Sequence, residues 1–346
     1  MPRAPEMRAV VKSDAGPGLD LATVPVPRPG PGEILVQVWA AGICGTDLHI
    51  ATWDAWARSR VIPPRIIGHE FCGTVVETAD DVDGVAVGDF VSGEGHIACG
   101  RCRPCRTGLN HLCERLQVVG IDRDGAFAEY VTLPARNAWK VDPGIPRDVA
   151  AILDPLGNAV HAALEAPLVG RRVAVVGCGP IGLMAIAICR HAGAAFVAAS
   201  DISDARLALA RRMGADLVVD ARTEDLAARI REAGGDGVDV VLEMSGSEAG
   251  LAAGLRALRP GGWVSLLGLP DQPVRVDLAG GVIFKGARLA GIFGRKIWQT
   301  WEEATALLRR GLDVIPVITH RFPLERFQEA FDLLRAGAAG KVLLYL

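Results

Sequence analysis

The sequence lacks an excess of basic charge. Its 37 lysines and arginines stand against 40 aspartates and glutamates, which gives a formal net charge of -3 at pH 7. Because the binding of nucleic-acid phosphates requires clustered Lys and Arg, we expect no nucleic-acid partner. With 50% hydrophobic and 22% charged residues, the composition is that of a folded protein rather than a disordered or fibrous one.

The chain also lacks a long apolar run. The N-terminal segment Met1–Lys12 carries scattered prolines and charges, so we expect no signal peptide and a cytoplasmic location. The longest uncharged stretch, Val173–Cys189, is a little short for a bilayer span and is interrupted by three glycines and a proline. We interpret it as a strand, a turn and a helix, and we expect no membrane partner.

A length of 346 residues suits about two domains of roughly 100–200 residues each. From Arg8 to about Asp154 the chain is rich in Gly, Pro and short β-prone runs, which predicts a β-rich domain with long loops. From Arg171 onward, apolar runs alternate with helical patterns, which predicts an α/β, doubly wound parallel sheet. The six predicted strands are Val173–Gly177, Phe196–Ser200, Leu217–Val219, Val238–Glu243, Trp263–Gly268 and Arg288–Gly291.

A glycine-rich turn follows the first of these strands. The pattern G-x-G-x-x-G is formed by Gly177, Gly179 and Gly182 and opens a predicted helix. In dinucleotide-binding folds the first glycine makes the turn, the second admits the pyrophosphate and the third allows close helix packing. The phosphates then lie at the positive end of the helix.

Asp201 ends the next strand, nineteen residues after the last of these glycines. A carboxylate there accepts hydrogen bonds from the adenosine ribose and repels a 2′-phosphate, which favours NAD over NADP. Arg206 leaves NADP open as an alternative, because a nearby arginine can accommodate the 2′-phosphate. It could instead only flank the adenine. A glycine-rich turn without any ligand is the other alternative.

Four cysteines are clustered with the spacing C-x2-C-x2-C-x7-C: Cys99, Cys102, Cys105 and Cys113. In a reducing compartment such a cluster indicates a metal rather than disulfides, and four thiolates complete a tetrahedral zinc site. This zinc is predicted to be structural and to hold the lobe 94–116 together. An iron–sulfur cluster is the alternative, but the last gap is long and no proline follows the fourth cysteine. His111 is a further alternative ligand.

A second group combines Cys44-Gly-Thr-Asp-Leu-His49 with Gly68-His-Glu70. Cys44, His69 and an acidic residue form a mixed ligand set that leaves one coordination position open, as a catalytic zinc requires. Taken singly, each residue has a structural alternative: a buried small side chain, a core histidine or a surface acid. Together with the cofactor turn and the cysteine lobe, the group favours a catalytic metal site.

These motifs resemble those of the zinc-containing medium-chain dehydrogenases, over nearly the full chain. Within that superfamily the sequence is similar to the L-threonine 3-dehydrogenase family, in the motifs already quoted and in four further segments: Ser92-Gly-Glu-Gly-His96, Asp154-Pro-Leu-Gly-Asn-Ala-Val-His161, Glu243-Met-Ser-Gly246 and Ile318-Thr-His-Arg-Phe322. The resemblance implies a GroES-like catalytic domain at 1–155, a Rossmann-type domain at 156–294 and a C-terminal return at 295–346. It also implies a homotetramer with two zinc ions per chain.

The resemblance further implies a role for individual residues. Cys44, His69 and Glu70 hold the catalytic zinc, and Asp154 either ligates that zinc or only assists the proton relay. Thr46 and His49 form the relay, and His96 lies near the substrate. The NAD site is lined by Ile181, Leu267, Gly268, Leu269, Ile292 and Phe293.

The activity implied is the oxidation of the secondary alcohol of L-threonine to 2-amino-3-oxobutanoate. Two alternatives stay open at this point. One is a polyol or 2,3-butanediol dehydrogenase with the same zinc and NAD chemistry. The other is a non-catalytic, zinc-stabilised protein that binds NAD.

Overall fold

The computed structural model describes residues 5–337 and 339–346, so the first four residues of the N-terminal segment lie outside it. The chain forms two compact units. The first runs to Asp154 and also contains Ile318–Ala336 and Lys341–Leu346, and the second contains Pro155–Val317.

In chain order the strands are β1 (Glu6–Lys12), β2 (Asp20–Pro25), β3 (Glu33–Gly42), β4 (Arg65–Ile66), β5 (Glu70–Thr78), β6 (Phe90–Gly93), β7 (His96–Ile97), β8 (Gln117–Val118), β9 (Tyr130–Pro134), β10 (Ala138–Lys140), β11 (Arg172–Val176), β12 (Phe196–Asp201), β13 (Leu217–Asp220), β14 (Val238–Glu243), β15 (Leu258–Leu266), β16 (Arg288–Gly291), β17 (Ile318–Pro323) and β18 (Lys341–Tyr345).

The α-helices are α1 (Gly45–Thr52), α2 (Ala55–Arg60), α3 (Arg103–Arg106), α4 (Arg147–Ala150), α5 (Leu153–Leu164), α6 (Pro180–His191), α7 (Asp204–Arg212), α8 (Leu226–Glu232), α9 (Glu248–Ala257), α10 (Gln299–Arg309) and α11 (Phe327–Arg335). Short 3-10 turns lie at Asn110–Leu112, Ala135–Asn137, Ile315–Val317 and Leu324–Arg326, and a π-helical turn lies at Leu278–Ile283.

The first unit is built on β3, whose apolar, largely buried sequence suits the centre of a sheet. The main sheet has the order β10-β6-β5-β3-β18-β17, and β9 also pairs with β3. Gly42 at the end of β3 pairs with Glu70 on β5 and with Leu343 on β18. The C-terminal strand therefore lies beside the end of β3.

The second unit contains a six-stranded sheet with the order β13-β12-β11-β14-β15-β16, in which all the pairs are parallel. This is the 3-2-1-4-5-6 order of a doubly wound fold, so the predicted fold class is confirmed. The central strand β11 is apolar throughout Val173–Val176 and buried there, as expected for a strand covered on both faces. In such sheets ligands bind outside the carboxyl ends of the strands at the switch point, here between β11 and β14.

Three details differ from the sequence analysis. The fifth strand of this sheet begins at Leu258 and ends at Leu266, so Leu267 and Gly268 lie in the loop that follows it. Helix α9 was not predicted, because its glycines weaken a helical pattern; Gly254 is buried where a Cβ would crowd Val241. Residues 295–317 belong to the second unit, since the turn Ile315–Val317 packs on α6 and α7, so the return to the first unit begins at Ile318 rather than at 295.

None of the helices within residues 5–337 and 339–346 combines the length and the apolar character that crossing a bilayer requires.

Candidate active site, metal centres and cofactor cleft

The four clustered cysteines meet in the first unit. Their sulfur atoms all lie within 4.8 Å of one another, and none of the four is in a disulfide. Cys102 Sγ lies 3.4 Å from Cys105 Sγ and 3.9 Å from Cys113 Sγ. Since zinc–sulfur bonds of ~2.3 Å place tetrahedral sulfurs about 3.8 Å apart, the cluster fits one zinc ion. His111 is not part of this group.

Local structure prepares the sulfurs for a metal. Cys102 precedes α3 and Cys105 lies within it, so one turn of helix brings both sulfurs to the same side. The backbone N–H of Cys99 donates to Cys113 Sγ at 3.2 Å, and the Arg115 guanidinium donates to Cys99 Sγ at 3.4 Å. The N–H groups of Arg101 and Cys102 and the Arg115 guanidinium lower the pKa of Cys99 to about 5, which favours the thiolate that zinc binds.

The second metal group lies where β3 and β5 end side by side. Cys44 follows β3 and His69 precedes β5, so the antiparallel register Gly42↔Glu70 brings them together. Cys44, His69 and Glu70 each offer one ligand atom, and these atoms lie within 4.8 Å of one another. His69 and Glu70 are almost fully buried. This set provides sulfur, nitrogen and oxygen donors with one tetrahedral position left for another ligand.

A buried carboxylate stands beside the histidine. Asp47 is fully buried, and its Oδ1 lies 3.7 Å from His69 Nδ1. Neither atom has a hydrogen-bond partner within the part of the chain that the structure describes. Burial raises the pKa of the Asp47 carboxyl. Burial alone would lower the pKa of His69, but Asp47 and the Cys44 thiol outweigh it and raise the pKa of His69 to about 10. These surroundings attract a cation, as a metal site requires.

Neither Asp47 nor the partner of Glu70 was predicted from the sequence. Asp47 left a signal: it follows Cys44 by three residues and accepts its backbone N–H at 2.8 Å, as in a capping box. Glu70 forms an ion pair with Lys341, and both side chains are almost fully buried. Lys341 Nζ also donates to the Ile43 carbonyl at 2.8 Å. Only the pairing of β18 with β3 brings this lysine to the site.

The other predicted catalytic residues lie in the same unit. Asp154 is buried at the start of α5 and is among the charges that raise the pKa of His69, but it is not one of the three grouped ligands. Thr46 Oγ1 lies 3.7 Å from Cys44 Sγ. His49 lies on α1 and contacts Asp54, at 2.5 Å from Nδ1 to Oδ2. The backbone N–H of His96 donates to Glu94 Oε1 at 2.8 Å.

The glycine-rich turn in the second unit borders a cleft of about 410 Å³. Gly177 has a φ of +94°, and Gly179 precedes the first turn of α6. A Cβ at Gly182 would overlap the Gly177 carbonyl, so the close packing predicted for this glycine is present. Arg206 also lines the cleft. Free N–H groups at a helix start favour an anion such as a pyrophosphate.

Asp201 lines the same cleft and is held by three backbone donors. Its Oδ2 accepts the N–H of Cys178 at 2.7 Å, and its Oδ1 accepts those of Ile202 and Ser203 at 2.8 and 2.9 Å. A carboxylate accepts about four hydrogen bonds, so capacity for a ribose hydroxyl remains.

The remaining predicted cofactor residues do not border this cleft. Ile181 is the second residue of α6, and Ile292 is buried. Leu269 is 88% exposed and Phe293 is 50% exposed. The loop with Leu267 and Gly268 is held from β14 instead, because both N–H groups donate to the Glu243 carbonyl at 2.9 and 3.0 Å.

Glu243 was predicted only as part of a motif, and the structure gives it a role. Its buried carboxylate accepts the N–H of Ser245 at 2.9 Å and that of Gly246 at 3.2 Å. Burial raises the pKa of Glu243. Its backbone and side chain therefore fix the loops that follow β14 and β15.

Comparison with known proteins assigns the family. A model of the zinc-binding dehydrogenase family matches residues 180–310, and one of the alcohol dehydrogenase GroES-like domain matches 30–143. The L-threonine 3-dehydrogenase of Bacillus velezensis is 48% identical over 98% of this chain and 99% of its own length. A short chain alcohol dehydrogenase from Escherichia coli CFT073 in complex with NADH superposes with a TM-score of 0.90 at 27% identity, over 99% of this chain and 100% of that one.

The 2R,3R-butanediol dehydrogenase of Bacillus subtilis superposes with a TM-score of 0.88 at 26% identity, over 98% of this chain and 99% of that one. The predicted zinc, rather than an iron–sulfur cluster, agrees with the matched family and with the two ligand groups. The chain belongs to the zinc-binding dehydrogenases with a GroES-like domain.

Proposed function

We propose that this protein catalyses the reaction of L-threonine with NAD⁺ to give 2-amino-3-oxobutanoate, NADH and a proton. The observation that carries the proposal is the Cys44, His69 and Glu70 group, whose ligand atoms lie within 4.8 Å of one another, in a chain 48% identical to an L-threonine 3-dehydrogenase. The identity to a butanediol dehydrogenase is only 26%, so butanediol is a weaker candidate substrate than L-threonine.

Each unit contributes its own part of the chemistry. Cys44, His69 and Glu70 would hold zinc, which would supply a Lewis acid to lower the pKa of the substrate hydroxyl. The start of α6 would hold the pyrophosphate of NAD⁺ and Asp201 its adenosine ribose, and the cofactor would supply the hydride acceptor. The arrangement supports NAD rather than NADP, because the Asp201 carboxylate repels a 2′-phosphate.

The proton released from the hydroxyl is carried by side chains of α1. Thr46 and His49 are three residues apart, so both side chains project from one face of the helix. His49 is about half-exposed, which allows it to pass a proton to solvent. His96 and Asp154 are proposed to orient the substrate and assist the relay.

We further propose a homotetramer in the cytoplasm. Support for assembly comes from β16, an edge strand, and from the exposed apolar residues Ile283 and Phe284 that precede it. Support for the location comes from eight free cysteines, four of them arranged for a metal.

The experiment is a substrate panel. Initial rates are measured with L-threonine, sorbitol and 2,3-butanediol, each with NAD⁺ and NADP⁺, on protein whose zinc content has been determined. We expect the highest kcat/KM for L-threonine with NAD⁺ and two zinc ions per chain. A preference for butanediol or sorbitol would reject the threonine assignment.

A Cys44→Ser variant tests the non-catalytic alternative. We expect it to retain NAD binding and the zinc of the cysteine lobe but to lose turnover, because a thiolate ligand is removed. Unchanged turnover would show that Cys44 does not serve the reaction.

A further inference from the structure

His49 is held by a carboxylate to which the reaction scheme above gives no role. His49 Nδ1 lies 2.5 Å from Asp54 Oδ2, within hydrogen-bond distance. The other oxygen, Oδ1, accepts the N–H of Ala57 at 2.9 Å and so caps α2. The carboxylate is therefore fixed between the start of one helix and the imidazole on another.

The turn that presents Asp54 is maintained by tertiary packing. Trp53 follows the last residue of α1 and has a φ of +56°, a backbone conformation that residues other than glycine rarely adopt. Its indole is buried, and Lys12 Nζ lies 5.0 Å from the ring centroid. Lys12 Nζ also donates to the Gly18 carbonyl at 2.8 Å. This packing offsets the backbone strain and holds Asp54 within reach of His49.

We propose that Asp54 is a positioning residue for the proton relay, an inference that rests on the proposed function. Its carboxylate accepts the Nδ1–H of His49 and so leaves Nε2 as the unprotonated nitrogen that receives the proton. Nε2 gains one proton from the alcohol side, the resulting imidazolium releases one proton to water, and the Asp54 carboxylate stays ionised throughout.

The surroundings of the pair agree with this role. The N–H of Ala57 and the contact with His49 lower the pKa of Asp54, so its carboxylate is ionised at neutral pH. Arg58 Nε donates to the Asp54 backbone carbonyl at 3.3 Å, while Arg60 pairs with Asp122 at 2.7 Å. The Trp56 ring lies edge-on to the imidazole with centroids 6.2 Å apart. Asp54 is thus the side chain that fixes the imidazole electrostatically.

An Asp54→Ser variant separates this role from helix capping. Serine is an equally good N-cap, but it is too short to reach Nδ1. We expect kcat to fall by about tenfold or more, with both KM values within about twofold of wild type. A loss of kcat accompanied by a comparable rise in either KM would indicate a structural role only.

A double-mutant cycle tests whether Asp54 acts through His49. Adding Asp54→Ser to His49→Asn should lower kcat no further than His49→Asn alone. Additive losses would reject the proposal. Ser59→Ala is the matched control, because it removes a side-chain hydrogen bond to the Trp56 carbonyl in the same helix without touching the pair. It should leave kcat and its pH profile unchanged.

Nitrogen NMR of labelled histidine reads the tautomer without any turnover. The wild-type zinc-loaded protein should show His49 with its proton on Nδ1, and Asp54→Ser should lose this preference. A proton on Nε2 in the wild type would overturn the proposal, even if the substrate panel upheld the function. An inactive wild type with the expected tautomer would instead count against the proposed function alone.

Discussion

Because Gly42 has no side chain, it leaves room for Glu70, one of the three residues of the catalytic metal group. A Cβ at this position would overlap Glu70 Oε2 and approach Lys341 Cε at 3.0 Å. The buried ion pair between Glu70 and Lys341 has no space to shift, because both side chains are almost fully buried. The absence of one methyl group therefore sets the position of a metal ligand.

We predict that Gly42→Ala loses zinc from the catalytic group. Overpacking costs about 1–3 kcal/mol and displaces Glu70 from Cys44 and His69. Zinc per chain should fall from two towards one, and the midpoint of thermal unfolding should fall as well. Gly45→Ala is the control, because nothing lies within 4 Å of its Cβ position, and it should keep both zinc ions. Two zinc ions in Gly42→Ala would contradict this account.

Sequence alone predicts residues whose chemistry is local. Cys44 and His69 stand in short motifs, and Asp201 stands at a fixed distance from a glycine turn. Lys341 could not be predicted, because it lies 298 residues from Ile43, whose carbonyl it contacts. Its place at the site depends on strand register, which a periodic pattern does not encode.

Strand β16 lies at the edge of its sheet and has exposed apolar residues in it and in the turn before it. It forms one edge of the six-stranded sheet, pairs only with β15 among the described residues, and leaves Leu289 38% exposed. The turn before it exposes Phe284 by 83% and Ile283 by 67%. Edge strands with apolar flanks pair with other chains unless they are charged or covered.

We predict that Phe284→Lys weakens the proposed tetramer. A charge at the edge opposes burial of the apolar flank, so light scattering coupled to size exclusion should show smaller species than in the wild type. Val169→Lys serves as the control, because Val169 is 82% exposed and lies outside β16 and its turn. A tetrameric Phe284→Lys protein would place the interface elsewhere. A wild type that is monomeric at micromolar concentration would reject the tetramer.

At the element scale the parallel sheet could be predicted because its strands are apolar runs separated by turns. Helix α9 could not be predicted, because tertiary packing of Gly254 against Val241 overrides its weak helix propensity. The long fifth strand begins at Leu258, five residues before the predicted start, since β14 supplies a partner across a register shift. Pairing with β14 therefore makes β15 longer than its local sequence predicts.

At the scale of the whole molecule, metal and cofactor sites belong to different compact units. Both zinc groups lie in the first unit, and the cofactor cleft lies in the second. The second unit has its own core, with Val176, Val241 and Val264 buried together. Loss of structure in one unit should therefore leave the other unit folded.

Loss of the lobe zinc tests this separation. We predict that Cys102→Ser removes one zinc ion per chain, because a closed four-sulfur site holds its metal only with all its ligands. Trypsin should then cleave after Arg101, Arg106 or Arg115 of the lobe, since Pro104 blocks cleavage after Arg103. NAD binding, followed by fluorescence, should stay within about twofold of wild type. Cys189→Ala, a buried cysteine of α6 outside both metal groups, should keep two zinc ions and resist trypsin. If NAD binding disappeared together with the lobe zinc, folding of the second unit would depend on the lobe, and the two units would have to be treated as one cooperative structure.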